Sequence, residues 1–247
     1  GFTVDVALAD VTATGGVAPL VFPVDYNNLV ARLNFNGTAG ETRQFTVATL
    51  DDAVIEGTET FTVSLSASNP LIDDRDNATG TITDNDLLLV EFSQSTGMDV
   101  ESSGANLPQL LVTGTIQAEH SVTINTAAIA TSTATGSGVD YTNPTAVTVA
   151  GGIYSATAFA VPGLSIIPDT LIESDETIDL GSPTGNQILV GDANGDGTTQ
   201  ATTQYTIIDD EKPLTAIVAG SASNLTIRDL VPGGKDDRLK LTISGGM

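Results

Sequence analysis

The chain has no cysteine and no tryptophan, a single histidine, and only 8 lysines and arginines among 247 residues. Each absence excludes a chemistry. Without cysteine there is no disulfide framework, thiol nucleophile, iron–sulfur cluster or Cys-ligated zinc, and His120 alone cannot build a multi-histidine metal site. Any ion held here must take oxygen ligands. Against 31 acids the few bases leave a net charge of −23 and a pI near 4.1, a balance that repels nucleic-acid phosphates and anionic lipid. No nucleic-acid partner and no direct membrane insertion are expected, and no apolar run reaches the roughly 18 residues of a spanning helix. No basic segment leads into an apolar one at the start, which is uninformative about destination.

Catalytic readings also lack material. No Gly-x-Ser-x-Gly occurs, so a serine triad would rest on His120 alone, and this residue reads as a surface turn residue. With 4% aromatics and no tryptophan there is no stacking platform for a sugar, which counts against a glycosidase. The chain is not expected to be an enzyme.

What is present folds. Hydrophobic residues make up 40% and mean hydropathy is +0.13, enough for a buried core despite the charge. Val-, Ile-, Thr- and Phe-rich runs of four to eight residues recur: Phe2-Thr3-Val4-Asp5-Val6, Gln44-Phe45-Thr46-Val47, Thr60-Phe61-Thr62-Val63-Ser64-Leu65, Ser121-Val122-Thr123-Ile124-Asn125 and Gln204-Tyr205-Thr206-Ile207-Ile208. They alternate with period two and are separated by turn sequences such as Asn36-Gly37, Ser137-Gly138 and Asn194-Gly195. An all-β protein is predicted, as Greek-key sandwiches or barrels.

The sequence also repeats itself. Asp25-Tyr26 recurs as Asp140-Tyr141, the spacing Asp52, Glu56, Glu59 as Asp169, Glu173, Glu176, and Thr81-Ile82-Thr83-Asp84-Asn85-Asp86 as Thr206-Ile207-Ile208-Asp209-Asp210-Glu211, at offsets of 115, 117 and 125 residues. A period of this size means tandem whole domains. The expected organisation is a first domain over 1–86, a second over 87–211 and a β-rich fragment of a following domain over 212–247. In that fragment Leu214–Val218 and Leu239–Ile243 read as strands and Gly233-Gly234 as a turn. Residues 1–86 carry 13 acids and 3 bases, residues 87–211 carry 15 acids and no base, and residues 212–247 carry 3 acids and 5 bases. Thr3-Val4-Asp5 aligns with Thr123-Ile124-Asn125, so the first domain is expected to lack a first strand, and the chain reads as a piece of something longer.

Each domain therefore offers carboxylates from three separated places: the Asp of Asp-Tyr, a loop with acids at i, i+4 and i+7, and an acidic cluster after the last strand. If these meet at one end of a sandwich, about six carboxylates share a small volume, which repulsion forbids unless protons or cations intervene. Calcium suits such an all-oxygen set, since it accepts six to eight oxygens in flexible geometry. A solvated acidic surface is the alternative. Asp192-Ala193-Asn194-Gly195-Asp196-Gly197 matches the first half of an EF-hand loop, but its twelfth position is Thr203. Two readings stand for Asp192, Asn194 and Asp196: an isolated calcium loop, or an Asx-rich hairpin turn.

The stretch from Asp25-Tyr26 through Gln44-Phe45-Thr46-Val47, Asp51-Asp52-Ala53-Val54-Ile55-Glu56-Gly57-Thr58-Glu59-Thr60-Phe61 and Gly80-Thr81-Ile82-Thr83-Asp84-Asn85-Asp86 resembles the Calx-beta domain. The resemblance is strong over 25–86 and looser over 98–211. It implies tandem immunoglobulin-like Greek-key β-sandwiches that bind Ca2+. The ligands it implies are Asp25, Asp51, Asp52, Glu56, Asp84 and Asp86 in the first domain, and Glu101, Asp140, Asp169, Glu173, Asp209 and Asp210 in the second. Glu59 and Glu176 begin strands and are expected to orient the loop. Pro168 stands where the first domain has Asp51, so the second domain is expected to hold fewer ions or hold them less tightly.

The functional expectation is a calcium-binding structural or adhesive repeat of a large extracellular bacterial surface protein, with calcium stiffening the tandem domains. Its partners would be neighbouring domains of the longer chain, with homotypic assembly or a surface ligand beyond them. A calcium-sensing regulatory module, as in sodium–calcium exchanger loops, and an accessory domain of a secreted hydrolase are the alternatives.

Overall fold

The structure, a computed structural model, describes residues 1–211 and, beyond them, the backbone of two strands, Ile217–Ser221 and Asn224–Arg228. Among the described residues every assigned element is a strand, and none is a helix. The chain divides into two compact units. The first comprises Gly1–Leu88, Gly114–Val122 and Ala150–Tyr154; the second comprises Leu89–Thr113, Thr123–Val149 and the chain from Ser155 onward.

In the first unit the strands are β1 (Phe2–Asp10), β2 (Gly15–Gly16), β3 (Tyr26–Asn27), β4 (Ala31–Phe35), β5 (Val54–Ile55), β6 (Glu59–Ala67) and β7 (Asn77–Ile82). Four of them form an antiparallel sheet in the order β4-β1-β6-β7. The period-two pattern turns Val4 and Val6 of β1 inward, and in β6 it puts Glu59 and Phe61 on one buried face. Phe61 stacks on Tyr26 at 4.4 Å between ring centroids, and with Ala13 these form a core against which Leu8, Val47, Val63 and Ile82 pack.

The remaining strands are β8 (Leu88–Phe92), β9 (Thr96–Val100), β10 (Gln109–Ile124), β11 (Tyr141–Thr142), β12 (Val147–Ala160), β13 (Ser165–Ile166), β14 (Glu176–Leu180), β15 (Ile188–Val190), β16 (Thr203–Ile208), β17 (Ile217–Ser221) and β18 (Asn224–Arg228). In the second unit β14-β16-β9 form one sheet, with β16 antiparallel to β14 and parallel to β9. Strand β8 runs antiparallel to Leu110–Thr113 of β10, and its Val90, Glu91 and Phe92 are fully buried. Glu91 is the one acid in that strand, and its carboxylate accepts N–H bonds from Asn194 at 2.9 Å and Gln200 at 3.0 Å, which satisfies it inside the core. Strand β10 runs on for sixteen residues, and in the first unit its Thr115 and Ile116 pair parallel with Val54 and Ile55.

Two sequence expectations differ from what is found, and part of a third lies outside the described residues. Gln44–Val47 is not a strand; the stretch is tied only at its end, where Thr49 bridges Tyr26 and the Asn27 N–H donates to the Ala48 carbonyl. His120 lies within β10 beside Gly57 and not in a surface turn, because β10 continues well before the Ser121–Asn125 run. In the trailing segment β17 and β18 pair antiparallel, whereas Leu239–Ile243 and Gly233-Gly234 lie outside the described residues.

The two repeats fill the same cross-strand position in opposite ways. Phe61 of β6 faces Gly80 of β7, and the matching pair in the second unit is Ile178 of β14 facing Tyr205 of β16. The large ring has changed strand, and the first repeat's pair leaves room for it by placing glycine opposite. A Cβ on Gly80 would fall inside the Phe61 ring. Gly80→Ala is therefore expected to cost about 1–3 kcal/mol through overpacking, seen as a lower urea midpoint at unchanged slope. Adding Phe61→Leu should return part of that loss, and a fully stable Gly80→Ala protein would contradict this packing.

Candidate metal centre

One end of each repeat gathers its acids, and the same backbone bonds do the gathering twice. In the first repeat the Asp25 N–H donates to the Thr14 carbonyl at 2.8 Å, its carbonyl accepts from Leu50 N–H at 2.9 Å, and its Oδ2 accepts from Thr14 N–H at 2.6 Å. In the second, the Asp140 carbonyl accepts from Ile167 N–H at 2.9 Å and its Oδ2 accepts from Thr135 N–H. The loop acids match too. Asp52 Oδ1 accepts from Val54 N–H at 2.8 Å and Asp169 Oδ1 from Leu171 N–H at 2.6 Å, both as Asx turns. Asp84 Oδ2 accepts from Glu56 N–H at 3.2 Å and Asp209 Oδ1 from Glu173 N–H at 3.3 Å, so the acid after the last strand holds the middle loop in each repeat.

The result in the first repeat is a cleft lined by Asp25, Asp51, Asp52, Glu56, Glu59, Asp84 and Asp86. Within it Asp25, Glu56 and Glu59 each present an oxygen, all within 4.8 Å of one another. In the second repeat Asp140, Glu173 and Glu176 form the corresponding group under the same 4.8 Å limit, and Glu101, Asp209 and Glu211 form another. Glu101 Oε1 also accepts from Asp169 N–H at 2.6 Å, which ties the loop after Pro168 to the turn after β9. Asp210 lies close enough for its charge to help raise Glu101 and Glu211, and its Oδ2 accepts from the Ser102 hydroxyl at 2.5 Å.

Placement thus differs in detail from the sequence reading. Glu59 and Glu176 lie inside the compact groups, because strand alternation puts Glu59 on the face of Phe61 and Glu176 on the face of Ile178. That parity was readable beforehand, as was the recurrence of Thr12-Ala13-Thr14-Gly15 as Thr133-Ala134-Thr135-Gly136, which supplies the amides to Asp25 and Asp140. Glu211 was signalled as well, since it stands where the first repeat has Asp86. The second repeat is not the poorer in donors: despite Pro168 it holds two compact carboxylate groups and the first repeat one, since Glu101 comes from a strand and turn that have no counterpart within 1–86.

The loop of Asp192, Asn194 and Asp196 is built differently. Asp192 accepts from the N–H groups of Gly195, Asp196 and Gly197 at 2.6, 3.0 and 2.7 Å, and Asp196 Oδ1 accepts from the Thr198 N–H and hydroxyl at 2.8 and 2.6 Å. Gly195 and Gly197 take positive φ of 77° and 90° to close the turn. These are the bonds of an Asx-rich turn.

In the two repeat-end clefts the carboxylates repel one another. Residues 1–211 contain no lysine, and their three arginines pair with Asp5, Glu41 and Asp73, away from both clefts. Burial, then the charges of Glu59, Asp25, Asp52 and Asp84, push the Glu56 carboxyl up to about 7. Burial and a hydrogen bond with Asp25 push Glu59 up to about 7, and burial with a hydrogen bond to Asp140 does the same to Glu176. Asp86, Glu101, Glu173 and Glu211 are raised as well, each chiefly by burial and then mainly by neighbouring acids. A carboxyl hydrogen-bonded to a carboxylate needs a proton between them, so here protons occupy the place of a cation. The donor set is all hard oxygen, with several carboxylates at irregular spacing around a partly open cleft. This fits Ca2+; zinc would want nitrogen or sulfur, and magnesium a near-ideal octahedron rich in water.

The Calx-beta domain profile matches residues 2–86 and again 83–211. The chain belongs to the Calx-beta family. Its repeats thus share the immunoglobulin-like β-sandwich of that family, with which the all-strand architecture in several sheets agrees. Solved structures similar to this chain include CBD12 from CALX1.2, 19% identical over 75% of this chain and 69% of that one with a TM-score of 0.31. Another is the calcium binding domain CBD12 of CALX1.1, 22% identical over 77% of this chain and 70% of that one, also with a TM-score of 0.31. No curated protein matches the chain.

Two outcomes follow from the geometry of these Calx-beta clefts. Glu56, Glu59 and Glu176 keep their protons to about pH 7 when folded without a cation, against an ordinary value of 4.5. Between those pH values the native state binds more protons than the unfolded one, so stability falls as pH rises. Thermal melts in chelator should therefore give a higher Tm at pH 5 than at pH 8. Excess calcium should reverse that order, because its ligands must be deprotonated. A chelated protein whose Tm rises between pH 5 and 8 would refute the electrostatic picture. Separately, Glu101→Gln should remove one calcium-binding step in a calorimetric titration and leave that of Asp140, Glu173 and Glu176; full stoichiometry would show that Glu101 is not a ligand.

Proposed function

We propose that the two Calx-beta repeats are calcium-binding structural modules of a large extracellular protein of the bacterial surface or adhesin type, in which calcium stiffens the tandem domains. The observation that carries this reading is the duplication of one acid-gathering device at the end of both repeats, in a region without a single lysine. Such an end is under electrostatic strain until positive charge enters it, and a divalent cation relieves more of that strain than a proton can. No catalytic role is assigned. The partners in this reading are the neighbouring domains of the longer chain, and homotypic assembly or a surface ligand would lie beyond them.

Absence of cysteine, strong acidity and Thr-, Ala- and Gly-rich strands support a place at the cell surface. The alternative, a calcium sensor controlling another protein, differs in affinity. Extracellular modules bind calcium at about 10⁻⁴–10⁻³ M and sensors at about 10⁻⁷–10⁻⁵ M. An accessory module beside a secreted hydrolase would share the first range but would have a catalytic domain elsewhere in its chain.

Chelation tests the proposal directly. An ion bound only by the native state adds RT ln(1 + [L]/Kd), about 2.7 kcal/mol when calcium stands a hundredfold above Kd. Removing calcium should lower the melting temperature by several degrees, calcium should restore it and magnesium should not. An unchanged melt in chelator would end the calcium reading, and micromolar affinity would move the assignment to the sensor.

A further inference from the structure

The first repeat's carboxylate group is not made by residues 1–86 alone. Strand β5 places Val54 and Ile55 in parallel register with Thr115 and Ile116 of β10, and Ile55 and Ile116 are both buried there. This pairing fixes the next residue on each strand, Glu56 and Gln117, side by side. Gln117 Nε2 donates to Glu56 Oε1 at 2.9 Å, and the Gln117 side chain also hydrogen-bonds Glu59, where it opposes the upward push on that carboxyl. A carboxamide nitrogen has two N–H groups, so one side chain can hold both glutamates. It does so without the charge that a lysine or arginine would bring, and therefore without competing for the site with a cation.

We propose that Gln117 is a positioning residue of the first repeat's metal centre. It orients Glu56 and Glu59 toward the oxygen of Asp25 and so sets the cation affinity of that site. Building the first repeat's site thus requires a residue that the sequence assigns to the second. This inference rests on the calcium reading above. Partners that orient ligands from behind typically change metal affinity by about 10–100-fold when removed, and removal of a neutral amide takes away no ligand charge.

The test uses the full chain carrying Asp169→Asn, which weakens the second repeat's site so that the titration reads the first, with and without Gln117→Leu. Leucine keeps the bulk of the side chain and removes its N–H groups. Calorimetry should show calcium binding to the first repeat at unchanged stoichiometry and about tenfold weaker affinity. Unchanged affinity in Gln117→Leu would overturn the positioning role while leaving calcium binding intact. Loss of binding in the parent chain as well would overturn the calcium reading and this inference with it. Side-chain amide NMR of the parent chain gives a readout that mere packing would not move, and it does not depend on the variant folding. The two Gln117 Nε2 protons should be strongly inequivalent, slow to exchange, and shifted by the first equivalents of calcium. A Gln117 amide with free-solution shifts that calcium does not alter would overturn the proposal.

Discussion

Carboxylates held within 4.8 Å of one another are the constraint on which the rest of the molecule depends. At that distance two full charges cannot both persist beside low-dielectric protein unless something positive sits between them. Residues 1–211 offer almost nothing of their own, since their three arginines are paired elsewhere. The sandwich must therefore supply binding energy to bring the acids together, and the cation supplies the charge that lets them stay. Folding and ion binding become one equilibrium. The raised carboxyls are the trace of this debt in the cation-free state.

The scaffold meets the constraint with backbone groups. In both repeats a threonine amide holds the Asp of the Asp-Tyr pair, an Asx turn opens the middle loop, and the acid after the last strand caps that loop through a glutamate N–H. Backbone donors suit this task because they carry no net charge and cannot be displaced by substitution of a side chain. Behind them the packing is free to vary. Phe61 against Gly80 and Ile178 against Tyr205 fill equivalent positions with the large residue on opposite strands. The site geometry is repeated and the core chemistry is not.

Much of this was legible in the residues. Period-two runs and turn dipeptides were enough for an all-β fold, because a strand's alternation is a local property. The repeat emerged from three landmarks, and in both repeats the Asp of the Asp-Tyr pair, the two glutamates of the middle loop and the first closing acid line the clefts. Glu59 and Glu176 go beyond the supporting role that a strand-initial position suggests: their parity with Phe61 and Ile178 turns them toward the clefts. Gln44–Val47 was over-read, because alternation states which face a side chain would take and not whether a partner strand is there to pair with it.

Composition alone determined that any ion here would be bound by oxygen, that nucleic acid would be repelled, and that cysteine and multi-histidine chemistries were closed. Local pattern determined the strands and the acids at their ends. Only the tertiary structure decided which acids come within coordinating distance, that Glu101 and Glu211 join Asp209, that Asp192 accepts from the amides of its own loop, and that Gln117 stands beside Glu56. Those are contacts between segments 31 to 110 positions apart, or choices between competing partners for one oxygen. Neither is encoded in spacing along the chain; both are settled by how strands pair and by which donor reaches a carboxylate first.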